Sequence, residues 1–202
     1  EFPMPWGICD LVGCSFNRQN VMKRLALNQK NPIGSHFRVM LLAEIPEQES
    51  GHAVTLDNLA ESFGAFIDNE RIVREMSRLE KDKFVRRTPQ GSFCKINGWM
   101  PLHKRILALE LKLSRVQDAF YQAVSNLEFA DESYVGLPMD VAERLTTSKR
   151  AEDFVKAGIG IIGLKFSSYK IFLKAQFKDS DTNETLKNYC AERFWRIILK
   201  TV

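Results

Sequence analysis

Between Arg105 and Ser114 the chain alternates with a period of two, with leucine at every odd position from 107 to 113 and Ile106, Ala108, Glu110 and Lys112 at the even ones. A strand with this pattern is predicted to bury the four leucines and turn the even residues to the other face. Glu110 and Lys112 then stand side by side in an apolar strand, an arrangement that costs free energy unless a metal, a partner or a substrate uses it. The pattern downstream predicts a helix over 115–129, capped by Ser114, with Val116, Phe120, Ala123, Val124 and Leu127 inward. A strand Ser133 to Leu137, a helix Asp140 to Lys156, and strands Gly158 to Phe166 and Tyr169 to Ala175 follow. The alternation predicts an α/β sandwich around a mixed sheet. A last amphipathic helix, Asn183 to Lys200, offers Leu186, Tyr189, Phe194, Trp195 and Ile198 for packing or for a dimer contact.

A different pattern occupies residues 34–97. Helical spacing runs from Gly34 to Ile45 and ends at Pro46. Thr55, with Asn58 three residues on, begins a short helix carrying Leu56, Leu59, Ala60 and Phe63, and Gly64 closes it. A third helix, Asn69 to Lys81, is predicted to bury Ile72, Val73, Met76 and Leu79. Strands Phe84 to Thr88 and Ser92 to Asn97 join through Pro89-Gln90-Gly91. Three helices followed by a hairpin resemble the winged helix-turn-helix family, which implies a DNA-engaging module. Arg71, Arg74 and Arg78 share one face of the third helix, with Arg86, Arg87 and Lys95 on the hairpin, where phosphate contacts are common. Glu70, Glu75, Glu80 and Asp82 offer the same arginines local ion pairs on a solvated face.

Charge and composition narrow the classes. The 202 residues carry a formal net charge of +4, compatible with a polyanionic partner. Cys9, Cys14, Cys94 and Cys190 lack the spacing of a zinc site or a disulfide scaffold, and His36, His52 and His103 are scattered. His103 lies in a Pro-Leu-His-Lys turn and is expected to be exposed, while Trp6, Trp99 and Trp195 read as core or interface. No apolar run spans a bilayer and the first residues lack the regions of a signal peptide, so no membrane partner and a cytoplasmic setting are expected.

The stretch 106–138 contains Glu110-Leu111-Lys112 at a strand end, Gln122 on the next helix and a following strand that ends in Leu137-Pro138. It resembles the PD-(D/E)XK nuclease superfamily, with a restriction-endonuclease-like fold. The resemblance implies that Glu110 and Lys112 are the E-x-K pair and that Gln122 is the helix glutamine that helps order the site. Asn126 stands where that family often has tyrosine. The family's aspartate precedes the pair, but no Asp lies between Asp82 and Glu110, and Asn97 is a poor ligand for a hard cation. Trp6-Gly7-Ile8-Cys9-Asp10-Leu11-Val12 resembles the family's G-x-x-D-L-V strand and makes Asp10 the candidate. Glu1 is the one acidic residue before it, so the helix carboxylate that the family tends to use would be absent, lost to truncation, or supplied from elsewhere.

The resemblance implies a domain made of 1–33 and 98–202, with the winged helix of 34–97 inserted between the catalytic strands. Asp10, Glu110 and the Leu111 carbonyl would hold Mg2+ or Mn2+, and Lys112 would orient water or stabilise charge developing on phosphorus. DNA is the implied substrate, cut by a homodimer or by a subunit of a larger complex. Other readings of the same residues are an ion pair on a solvated sheet face for Glu110 and Lys112, an edge-strand charge for Asp10, and an ordinary exposed residue for Gln122. The corresponding function is a catalytically inactive, nuclease-fold DNA-binding regulator or assembly subunit.

Overall fold

The computed structural model describes residues 1–4, 7–64, 67–96, 99–177 and 183–201, the last five of these for the backbone alone. Trp6, Asn97 and the side chain of Ile198 lie outside the described residues. In chain order the elements are β1 (Phe2–Met4), β2 (Gly7–Cys9), β3 (Leu11–Phe16), α1 (Arg18–Ala26), α2 (His36–Glu44), α3 (Leu56–Phe63), α4 (Asn69–Lys81), β4 (Val85–Arg87) and β5 (Phe93–Lys95). They continue with β6 (His103–Leu111), α5 (Val116–Asn126), β7 (Glu132–Pro138), α6 (Met139–Thr146), α7 (Ala151–Ala157), β8 (Gly160–Lys165), β9 (Ser168–Leu173) and α8 (Glu184–Thr201). The chain is mixed α/β and divides into two compact units, one of 1–15 with 103–190 and the other of 16–102 with 191–202. The second unit is wider than the 34–97 expected from the pattern, since it takes in 16–33 and the end of the chain.

In the first unit a five-stranded sheet runs β3-β6-β7-β8-β9. β6, β7 and β8 are parallel, and β9 returns antiparallel to β8. One core lies between one sheet face and helices α5, α6 and α7, built from Ala119, Ala123, Val135, Leu137, Ala142, Phe154 and Ile161. The burial of β6 reverses the expected parity. Ile106, Ala108 and Glu110 are buried on the helix side, whereas Leu107, Leu109 and Leu111 are half-buried and Leu113 is 83% exposed. Helix α5 meets the sheet through the small residues Ala119 and Ala123, so the small Ala108 suits the face beneath it and the leucines take the roomier side.

Two further expectations fail for local reasons. Ser114 does not cap α5, because Arg115 occupies the N-cap and makes no side-chain cap bond. The long helix 140–156 is broken between α6 and α7, where Thr146, Thr147 and Ser148 turn their hydroxyls back onto carbonyls of residues 142–145. Such bonds compete with continuation of the helix. His103 is half-buried rather than exposed, and burial lowers its pKa.

In the second unit, α2, α3 and α4 enclose Leu41, Leu42, Leu59, Ile72, Met76 and Leu79, with Phe84 and Phe93 from the hairpin region. Val73, expected in this core, is 46% exposed. The antiparallel pair β4-β5 turns at Gly91, whose φ of +87° favours glycine, and Val54 bridges to Phe93. Asn58 completes a full capping box with Thr55, each side chain accepting from the other's backbone N–H. Arg24 and Glu192 form a buried ion pair, and Glu192 also accepts from the Ile33 N–H at 2.7 Å. No described helix is long and apolar enough to cross a membrane. Replacing Thr55 by Ala is expected to lower stability by about 1 kcal/mol, read as a lower urea midpoint at unchanged slope; an unmoved midpoint would refute the cap's contribution.

Candidate active site

Asp10 sits at a bend between β2 and β3 rather than at the centre of one continuous strand. The N-terminal hairpin β1-β2 ends there and β3 departs to join the large sheet, so the bend turns the carboxylate toward the end of β6. Asp10 Oδ2 accepts from the Leu111 N–H at 2.8 Å. In an extended strand the N–H and C=O of one residue face the same edge, so the Leu111 carbonyl also looks toward the Asp10 side.

Glu110 lies one residue earlier on the buried face, 2% exposed. Its Oε1 accepts from Asn126 Nδ2 at 2.7 Å, and its Oε2 is buried without a hydrogen-bond partner. Lys112 reaches both acids, with Nζ 3.6 Å from Asp10 Oδ2 and 3.9 Å from Glu110 Oε2. A carboxylate from the bend before β3 and one from the neighbouring strand β6 therefore flank one ammonium. The structure thus brings Asp10, Glu110 and Lys112 together, although a hundred residues of chain separate Asp10 from the other two.

The local electrostatics follow from burial. Desolvation raises the pKa of Glu110, and the Asp10 charge adds to it; the Asn126 amide, the Cys9 thiol and the Lys112 ammonium oppose the shift. Burial, with the nearby Glu110 charge, pushes the Cys9 thiol up to about 12. Cys9 is accordingly a neutral thiol at pH 7, and its Sγ lies 3.3 Å from the Leu11 carbonyl and 3.4 Å from Asn126 Nδ2.

Gln122 is exposed on α5 and lines a cavity of about 240 Å³ together with Glu110, Cys9, Tyr121, Ser125 and Asn126. It shares the mouth of the site, one helical turn from Asn126. Asn126 and Cys9 were not anticipated as site residues. Asn126 was detectable in principle: Ala119, Ala123 and position 126 follow one helical stripe, and a lone amide on a buried stripe needs a polar partner. Cys9 carries no comparable signal, since a buried cysteine is ordinarily a small hydrophobe.

The cationic residues of the second unit are partly engaged. Arg78 pairs with Glu75 at 2.9 Å, and that buried carboxylate also binds Arg38. Arg71 stacks over Phe37, while Arg87 lies over Phe93 and 3.9 Å from Glu80. Lys95 is half-buried, and desolvation lowers its pKa against the pull of Glu47 and Glu44. Arg74 and Arg86 are exposed, and neither makes an ion pair or ring contact with the described residues.

Hard divalent cations take carboxylate and carbonyl oxygens. Asp10, Glu110 Oε2 and the Leu111 carbonyl supply that donor chemistry, and Oε2, buried without a hydrogen bond, is a position a cation would satisfy. Among the described residues no cluster of three or more His, Cys, Asp or Glu has a metal-holding arrangement. Any such ion would therefore rest on two carboxylates, backbone and water.

No protein-family model matches the chain, and no curated protein matches it. Among solved structures it is similar to the SPO1766 protein of unknown function from Silicibacter pomeroyi, at 17% identity and a TM-score of 0.33, over 48% of this chain and 60% of that one. The match thus spans less than two thirds of that protein, a likeness too slight to bear on fold or function.

Since the native state holds the Glu110 proton more tightly than the unfolded chain does, the stability linked to this group is greatest at low pH and falls as pH rises through the native value. In EDTA, Glu110→Gln is expected to be more stable than the parent at neutral pH, the gap narrowing as pH falls toward the ordinary carboxylate range. Thermal melts across that range test it; a gap independent of pH would show that the group titrates normally.

Proposed function

We infer that this chain is a Mg2+- or Mn2+-dependent DNA nuclease of the PD-(D/E)XK kind, with a restriction-endonuclease-like sheet and an inserted winged helix that engages DNA. The observation that carries the reading is the meeting of Asp10, Glu110 and Lys112 at one end of β6, where Glu110 Oε2 is buried without a hydrogen bond and faces Lys112 Nζ at 3.9 Å. The β6-α5-β7 order, with Gln122 at the mouth of the site, supports it.

Asp10, Glu110 and the Leu111 carbonyl would hold the cation. When bound, it would polarise the scissile phosphate and lower the pKa of attacking water. Asn126 fixes the Glu110 carboxylate through Oε1 and leaves Oε2 to serve as a ligand. Lys112, at hydrogen-bonding reach of a group placed between the two acids, orients the attacking water and then stabilises negative charge growing on the phosphate oxygens. Gln122 positions water or substrate at the open side. In the second unit, Arg74 and Arg86 offer the exposed guanidinium groups for phosphate, with Arg71, Arg78, Arg87 and Lys95 beside local partners that a polyanion would have to displace or share.

One observation favours a second reading. Two acids satisfied by one lysine, with no third acidic, His or Cys ligand among the described residues, also suit a nuclease-fold DNA-binding regulator or assembly subunit without catalysis. Incubation with supercoiled and linear DNA in Mg2+ or Mn2+ separates the two. Cleavage is expected with metal and not with EDTA, and Asp10→Ala, Glu110→Ala and Lys112→Ala are each expected to lower it about 100-fold or more. Metal-independent, salt-sensitive binding without cleavage, indifferent to all three substitutions, would establish the second reading.

A further inference from the structure

The face of the large sheet opposite α5 carries a second feature. A cavity of about 350 Å³ opens at the carboxyl ends of the three parallel strands, lined by Leu111 at the end of β6 and Leu113 beyond it, Gly136 and Pro138 of β7, Leu164 of β8 and Phe166 just after β8. Its walls are almost wholly apolar, and the charged residues lining it are Lys112 and Lys165. In open α/β sheets ligands bind in the crevice beyond the carboxyl ends of the strands. Here that crevice has the site lysine in its wall.

Phe166 marks the place further. It occupies the two-residue turn Phe166-Ser167 between β8 and β9, and its side chain is fully exposed. Leu113 across the opening and Tyr169 behind the turn are also largely exposed. An aromatic ring raised on a hairpin tip, beside an apolar slot and two ammonium groups, is a surface short of a partner. Charge complementarity selects the occupant: no carboxylate is among the lining residues, and although Lys112 is held between Asp10 and Glu110, the exposed Lys165 and, on the neighbouring strand opposite Gly163, Lys170 suit a phosphate backbone while the apolar walls suit the flat face of a base. Stacking on an exposed aromatic is the usual means of holding an unpaired base without reading its identity.

We propose that the slot between Leu111, Leu113, Pro138, Leu164 and Phe166 holds an unpaired DNA base next to Lys112, so that the protein selects strands with single-stranded or splayed character. The inference rests on the nuclease reading for its substrate, and it names the form of DNA that this site takes. Paired bases present their edges to a protein surface and keep their faces stacked on one another, so the slot and the Phe166 ring have nothing to grip on intact duplex.

The test measures binding apart from cleavage. Fluorescence anisotropy with calcium in place of magnesium compares a forked DNA bearing an unpaired arm with a fully paired duplex of equal length. Both are tested with the parent protein, Phe166→Ala and Phe166→Trp. The parent is expected to prefer the forked DNA, Phe166→Ala to lose about 5- to 100-fold in affinity for it with duplex binding within about twofold, and Phe166→Trp to restore the preference. A 2-aminopurine in the arm is expected to be quenched by the parent and by the tryptophan variant, and not by the alanine variant. Equal affinities of parent and Phe166→Ala for both DNAs overturn the proposal, as does a parent dimer in sedimentation that Phe166→Ala dissociates, since a second copy would then fill the slot. Cleavage of the same DNAs in magnesium is scored separately. Its absence with the fork preference intact removes the nuclease reading and leaves a selective binding protein; cleavage without the preference does the reverse.

Discussion

A carboxylate held under a helix with only neutral hydrogen-bond partners, the Asn126 amide and the Cys9 thiol, is expensive, and the surroundings of Glu110 are organised around that cost. The helix that buries the group also supplies its partner: α5 approaches closely over Ala108, Ala119 and Ala123, and that closeness brings the Asn126 amide onto Oε1. Lys112 offsets part of the remaining charge, and Asp10 shares the same ammonium while its own oxygen is fixed by the Leu111 N–H. Removing any member leaves another uncompensated, which couples the packing of the sheet to the electrostatics of the site.

Both compact units tie off buried acids: in the unit of 1–15 with 103–190, Asp131 is bound by Lys187 and by the Ile106 N–H, and Glu132 by Arg105 and the Tyr134 hydroxyl. In the unit of 16–102 with 191–202, Glu192 is bound by Arg24 and by the Ile33 N–H, and Glu75 by Arg38 and Arg78. Such fully matched carboxylates have no capacity left for a ligand and act as structural ties. Glu110 Oε2, by contrast, accepts no hydrogen bond and faces the Lys112 ammonium at 3.9 Å. That contrast, more than the presence of acidic residues as such, is what distinguishes a place where chemistry can occur from a place where the chain is held together.

Much of the candidate site was legible because its residues violate the pattern around them. Glu110 and Lys112 interrupt an apolar strand, and Asp10 interrupts the run from Gly7 to Val12. What was lost followed from size and polarity being read in the ordinary way. Four leucines in register look like a core face, but the close-packed helix lies over the small Ala108, and its neighbours Ile106 and Glu110 are buried with it. Helix α1 went unassigned because the residue it buries is Arg24, which hydrophobic periodicity counts as surface. The break after α6 depends on hydroxyls competing for carbonyls, and Asn126 and Cys9 are read as surface amide and core filler until their partner is known. The helices and hairpin within 34–97 were legible because caps and turn residues punctuate them: Thr55 with Asn58, Gly64, and Gly91.

The long excursion between β3 and β6 closes on itself at its base. Near its start the Asn17 N–H donates to the Leu102 carbonyl at 2.7 Å and Asn20 Nδ2 to the Pro101 carbonyl at 2.8 Å, so the chain leaves and re-enters at one point. Seen from the sheet, the whole excursion is an enlarged hairpin turn joining two neighbouring strands. Ser15 Oγ and the Arg105 carbonyl, 90 residues apart in sequence, are then near neighbours along the path that matters for assembly. Closing so long a loop from a disordered chain carries an entropic toll that grows slowly with its length, and the contacts at the base hold the two ends of the excursion together. The contacts at its base thereby do for the sheet what a short turn does in an ordinary hairpin, and two acids a hundred residues apart come to share one lysine.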